Sequence, residues 1–169
     1  MALSSTLAVS AFTELSGASG LGTARIPAGL SRAVTLGSGT GAGKADRVFQ
    51  ARRTIAASGT DDLDLAGVLT DALGQTITFA RIKGLFVAAS AANNNNVVVG
   101  NAASNAWSTL LNATGTVTLR PGAVLAAVAG AADATTYGVT ASTGDILRLA
   151  NSGGGSTVSY DICIVGTSA

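Results

Sequence analysis

The most specific chemistry on offer lies in Ala33-Val-Thr-Leu-Gly-Ser-Gly-Thr-Gly-Ala42. Gly37, Gly39 and Ala42 match the spacing of a dinucleotide-binding fingerprint. A strand-like run precedes them, and Asp61, Asp62 and Asp64 follow about 20 residues on, where a ribose-binding acid belongs. Such a loop works by letting backbone N–H groups close on a pyrophosphate at a helix N-terminus. It therefore demands a helix from Ala45 and a parallel βαβ series beyond it, whereas the following sequence reads as antiparallel strands. As a phosphate-cradling P-loop the stretch also fails. Ser38 stands where the first glycine belongs, and Ala45 stands where a Ser or Thr would hold magnesium. No cofactor is expected.

Other reactive groups are sparse. Asp61, Asp62 and Asp64 form the one dense acidic cluster. Carboxylates so placed suit calcium, but the spacing is not that of an EF-hand, and a solvated strand edge accounts for them. Asp133, Asp145 and Asp161 are scattered, without the aromatic-lined cleft of a glycosidase, and Asp145 after Gly144 suits a turn. There is no histidine, so the commonest general base and metal ligand is missing, and a serine nucleophile would have only Lys44 or Lys83 to activate it. Cys163 lies among Ile162, Ile164 and Val165, where a small apolar core residue is expected. Trp107, Phe86, Phe79, Phe49 and Tyr160 are too few for a sugar platform and read as core anchors. Neither catalytic residues nor metal ligands are assigned, and no small-molecule substrate is expected.

Composition points to assembly. Only 11% of the 169 residues are charged, well below the roughly 25% of an ordinary soluble monomer. So uncharged a surface is expected to lie against something else. A net charge of +1 leaves no basic stripe for nucleic acid. The longest weakly polar run, residues 122–132, is too short to span a membrane, and the first nine residues lack the basic flank of an export signal.

The elements that must position these residues read as strands. The closing stretch is the clearest. Ile146-Leu-Arg-Leu149 alternates; Val158, Tyr160, Ile162 and Ile164 share one face; and Asn151-Ser-Gly-Gly-Gly-Ser156 lies between them. Two such runs about a Gly/Ser/Asn cluster predict an antiparallel hairpin. Before it, residues 31–36, 61–65, 76–80, 82–88, 97–99, 116–119, 124–128 and 137–139 read as strands. Residues 45–57 fit strand better than helix, and Arg120-Pro-Gly122 marks a turn. Roughly nine to eleven short strands with no long amphipathic helix predict an all-β fold. The expected form is an antiparallel β-sandwich, jelly-roll-like, over residues 31–169. Residues 1–30 form an extended Gly/Ser-rich N-terminal arm too sparse to make its own core, so a neighbouring subunit is expected to hold it.

A set of short runs then carries a resemblance. In order they are residues 40–57 (Thr-Gly-Ala-Gly-Lys-Ala-Asp-Arg-Val-Phe-Gln-Ala-Arg-Arg-Thr-Ile-Ala-Ala), Asp62-Leu-Asp-Leu-Ala-Gly67, Thr78-Phe-Ala-Arg-Ile-Lys83, Asn96-Val-Val-Val-Gly100, Arg120-Pro-Gly122, Thr143-Gly-Asp145, Asn151-Ser-Gly153 and Tyr160-Asp-Ile162. Over residues 37–169 this set resembles a family of small virion structural proteins of tailed bacteriophages. The resemblance implies a particle component rather than an enzyme. In particular it implies a capsid decoration (cement) protein, a homotrimer on the outer head surface, with the major capsid protein and its own copies as partners. Its place would be the virion, assembled in the bacterial host cytoplasm. A tail- or fibre-associated component, structural or host-binding, is the alternative. On the decoration reading the arm residues Leu3, Leu7, Val9 and Phe12 dock on a neighbour, and Arg52 and Arg53 meet acidic capsid surface.

Overall fold

The computed structural model describes residues 2–169, and these contain strands and connections but no α-helix. In chain order the strands are β1 (Ser5–Ser19), β2 (Gly22–Ser38), β3 (Lys44–Ala45), β4 (Arg47–Ile55), β5 (Thr60–Asp64), β6 (Leu69–Thr70) and β7 (Thr76–Ile77). They continue with β8 (Arg81–Ala89), β9 (Val97–Gly100), β10 (Thr116–Leu119), β11 (Val124–Val128), β12 (Tyr137–Gly138), β13 (Ile146–Asn151) and β14 (Val158–Thr167). One sheet runs β11-β8-β14-β4, with β12 also on β8; a second runs β10-β9-β13-β5. All pairings within these two sheets are antiparallel.

The pairing is nested. Leaving aside the minor strands, β4 pairs with β14, β5 with β13, β8 with β11 and β9 with β10. The chain behaves as one long ribbon folded back at β9–β10 and then rolled, so that β8–β14 and β9–β13 contacts close each sheet. This corrects the expected closing hairpin. Both arms are strands with the expected alternation, but β13 belongs to the second sheet and β14 to the first. The Asn151–Ser156 cluster is therefore a bridge between sheets. Asn151 is buried and organises it. Its Nδ2 donates to Ala56 O (3.1 Å) and Ser156 O (2.7 Å), while its Oδ1 accepts from Gly153 N and Asn95 Nδ2 (both 3.1 Å).

Alternation along each strand builds a core shared by the two sheets. Phe49, Ile55, Leu85, Val87, Tyr160, Ile162 and Ile164 from the first meet Leu63, Val97, Val99, Leu119, Leu147 and Leu149 from the second. Trp107 closes one end, its Nε1 donating to Gly138 O at 2.9 Å and its ring edge-on to Tyr137. Cys163 differs from expectation. It points away from Ile162 and Ile164, to the opposite face of β14, and is only half-buried.

The N-terminal segment is also more ordered than an extended arm. β1 pairs along its whole length with β2, from Ser5↔Leu36 to Ser19↔Gly22, around a two-residue Gly20–Leu21 turn, and the last two residues of β2 pair in parallel with β3. The expected strand at residues 31–36 is the last part of β2, which crosses the 30/31 boundary unbroken.

Candidate functional site

The hairpin is a two-faced ribbon. The register places Leu7, Val9, Ala11, Leu15, Ile26, Ala28, Leu30, Val34 and Leu36 on one face, interrupted by Thr13 and Arg32. The other face carries Thr6, Ser10, Ser16, Ser31 and Thr35, and a Glu14–Arg25 ion pair at 2.9 Å. At the root the apolar face is covered. Leu7 and Leu36 are buried with Ala45 and Val165, and Leu3, Val34, Val48, Phe86, Val128 and Cys163 pack around them. Beyond the root it is bare: Leu15 is 71% exposed, Ile26 63% and Leu30 59%.

The four predicted docking residues thus divide. Leu7 is buried against its own chain, and Leu3 is half-buried beside it with its N–H on Ser38 Oγ. Val9 is exposed on the apolar face. Phe12, 76% exposed, lies on the opposite face across from Gly29, where an added Cβ would stand 2.9 Å from Phe12 Cδ1. The ring fills the space a glycine leaves in a strand. Leu15, Ile26 and Leu30 were not singled out from the sequence, although their period of two was available; the intervening glycines and Pro27 masked it.

The root sits on the outer face of the first sheet, and Gly84 makes this possible. A Cβ there would stand 2.6 Å from Leu7 Cδ1. Gly84→Val is expected to push Leu7 off the sheet at a cost of about 1–2 kcal/mol, the scale of an overpacked contact. Hydrogen exchange should then quicken at residues 5–9 and 33–37 and stay slow in β13. Unchanged protection at the root would show that Leu7 does not hold the hairpin.

Arg52 and Arg53 point to opposite faces of β4. Arg52 lies outside and grips Asp161 with two bonds, 2.7 and 2.9 Å. Arg53 faces between the sheets and grips Asp61 on β5, at 2.6 and 2.8 Å; Tyr160 donates its hydroxyl to the same carboxylate at 2.7 Å. Burial disfavours the charged Asp61 carboxylate, but the hydrogen bonds from Arg53 and Tyr160 and the Arg53 charge together hold it below the usual carboxylate range. Burial, followed by the bond to Asp61, pushes the Tyr160 hydroxyl well up. The trio is a polar clamp joining the two sheets.

Strand alternation separates Asp61, which faces in with Leu63, from Asp62 and Asp64, which face out. Asp62 faces outward and binds Arg148 twice at 2.7 Å, while Asp64 Oδ1 accepts the Ala66 N–H. Among the described residues no three His, Cys, Asp or Glu side chains converge as metal ligands. The Gly37 loop closes on itself, Gly37 N–H to Gly43 O and Gly39 N–H to Ala45 O, and leads into β3 and β4. Lys83 is buried and donates to Asp133 O at 3.2 Å; burial lowers its pKa against the pull of Asp133.

What remains is a contrast between outer faces. The second sheet shows water Thr60, Thr116, Thr118 and the Arg148–Asp62 pair. The first shows Phe86, Ala88, Val124, Ala126 and Cys163 on its β11, β8 and β14 strands, with the neutralised Arg52–Asp161 pair, the Thr54–Ser159 pair and Gln50 across its β14 and β4 side. This apolar face runs directly into the covered hairpin root, and the bare hairpin face continues from there. Comparison with family models, with curated proteins and with solved structures returned no match to this chain.

Proposed function

We propose that the protein is a bacteriophage virion structural component, most specifically a capsid decoration (cement) protein. On this reading it forms a homotrimer, sits on the outer head surface and stabilises the shell by bridging major capsid protein subunits. The body is read as a jelly-roll sandwich. The nested pairing supports this, because eight strands paired first with last and rolled into two sheets form the double Greek-key layout of that fold. The observation that carries the functional reading is the pairing of one apolar outer face with a projecting hairpin whose apolar face is uncovered. Contiguous apolar surface of this kind marks an interaction site. Residues 37–169 supply the phage context through their resemblance to virion proteins. No enzymatic role, nucleic-acid partner or membrane partner is assigned; the carboxylates of Asp61, Asp62 and Asp161 are each committed to an arginine.

The test is location and effect in particles. Gold-labelled antibody against the protein should decorate heads over their whole surface, and particles lacking it should break at lower temperature. Label confined to tails, with intact heads and lost adsorption, would replace this reading by the tail- or fibre-associated one.

A further inference from the structure

We propose that copies of this chain associate by seating the apolar face of one copy's β1–β2 hairpin on the outer face of another copy's β11-β8-β14-β4 sheet. The inference goes beyond the virion reading; it shares with it only the premise that copies assemble, and it concerns which two surfaces meet.

The hairpin needs a cover. A two-stranded ribbon is marginal in water, and this one projects about eleven residues of each strand beyond its docked root with Leu15, Ile26 and Leu30 bare. Its contact is by face rather than by edge on the β2 side. Counting from the turn pair Ser19↔Gly22, the Glu14↔Pro27 pair falls at a non-hydrogen-bonded position. The missing N–H of Pro27 therefore lies on the outer edge of β2, where it obstructs strand addition.

The sheet face offers apolar surface between polar groups. Phe86, Ala88, Ala126 and Cys163 are half-buried, Val124 is 62% exposed, and a shallow groove runs past Gln50, Phe86, Ala88, Asp161 and Cys163. Within one chain the same two surfaces already meet: Leu7 and Val34 of the hairpin lie on Val165, Phe86 and Val128 of the sheet. A second copy's hairpin would extend this contact along the same face. Charge is sparse on both surfaces: the sheet face carries the closed Arg52–Asp161 pair, and the hairpin face carries Arg32, whose long side chain can keep its guanidinium in water at the rim.

The area suffices. At ~3.3 Å per residue and ~4.8 Å between strands, the free hairpin face is about 36 Å long and roughly 10 Å wide. One contact hides about 350 Å² on each side. In a two-fold pair, where each copy gives one hairpin and receives one, the two contacts form one interface of about 700 Å² per partner, close to the ~800 Å² of a specific interface; in a ring they stay separate at about 350 Å² a side.

The native cysteine provides the probe. Cys163 lies on the receiving face and is the single cysteine of the chain. In full-length protein, Ala11→Cys, Ala28→Cys and Leu30→Cys are each oxidised mildly and resolved on non-reducing gels, with peptide mass mapping of the link. At least one should give inter-chain species joined between the introduced position and Cys163, and these should vanish when Cys163→Ala is added. By light scattering the wild type should be oligomeric, and Ile26→Asp and Ala126→Asp should each weaken association at least tenfold. Both substituted sites lie on strand surface outside the core, and circular dichroism checks that the fold is kept. A wild type that stays monomeric at all concentrations overturns the proposal. So does an oligomer in which none of the three variants links to Cys163, or whose links survive Cys163→Ala. An oligomer without these links leaves the decoration reading standing, a monomeric wild type removes the homotrimer from it, and failure on particles leaves this interface standing.

Discussion

Asp61→Asn lowers the unfolding free energy by about 2 kcal/mol, measured by urea denaturation at neutral pH. The substitution keeps the shape but replaces an acceptor that holds Arg53 and Tyr160 with an amide that presents donors to donors. Breaking a fully buried pair costs about 3–5 kcal/mol; here the Arg53 side chain is 37% exposed and water screens part of the loss. Tyr160→Phe removes only the hydroxyl and costs about 1 kcal/mol. The two effects are not additive, because both act through one carboxylate. The dependence on pH has a definite sign. Asp61 has a lowered pKa in the folded protein. Its contribution is therefore fully present above the unfolded value of ~3.9 and is lost as pH falls through the folded value. The gap between wild type and Asp61→Asn narrows on acidification across that window. A gap that stays constant down to the acid transition would mean that the carboxylate charge is not what joins the sheets.

Asn151→Ala costs more, about 3–4 kcal/mol, and lowers the melting temperature by roughly 10 °C at this chain length. Four hydrogen bonds meet at this buried side chain. They tie the end of β4, the Asn93–Asn96 connection and the β13–β14 bridge at one point. Asn151→Asp gives no rescue, because it turns carboxylate oxygen toward the carbonyls of Ala56 and Ser156. A scanning calorimetry shift of less than 3 °C for Asn151→Ala would show the bridge to be held by other contacts.

Strand positions in the body were legible because alternation is local, whereas the long strands β1 and β2 were read as an extended arm because Gly, Ser and Thr dilute their alternation. Val158, Tyr160, Ile162 and Ile164 mark the inner face of β14 wherever that strand pairs, and Arg120 to Gly122 is a turn by its own chemistry. Pairing partners were not legible to the same degree. The glycine cluster after Asn151 suits a hairpin turn, yet the partner of β14 is β4, more than a hundred residues earlier. Nothing in either strand states that preference; it comes from the nested order of all eight strands. The placement of Cys163 was missed for a related reason. An apolar neighbourhood in sequence, Ile162, Ile164 and Val165, spans both faces of a strand. The exposed apolar residues of the hairpin were legible in part: the apolar content of the N-terminal segment was visible, but dividing Phe12 from Val9 required the register with β2.

Nested pairing also sets the order in which the molecule can take shape during synthesis. The hairpin closes on residues that are neighbours in the chain, so it can form while the ribosome is still translating the body. The strand pair β4–β14 cannot form until the last residues emerge, and β5–β13 waits nearly as long. For most of its synthesis the polypeptide therefore carries Leu15, Ile26 and Leu30 bare, on a ribbon that is marginal until Val165 and the rest of the first sheet arrive under its root. Crowding of nascent chains is the hazard this creates, and these exposed side chains are those that a chaperone would have to shield.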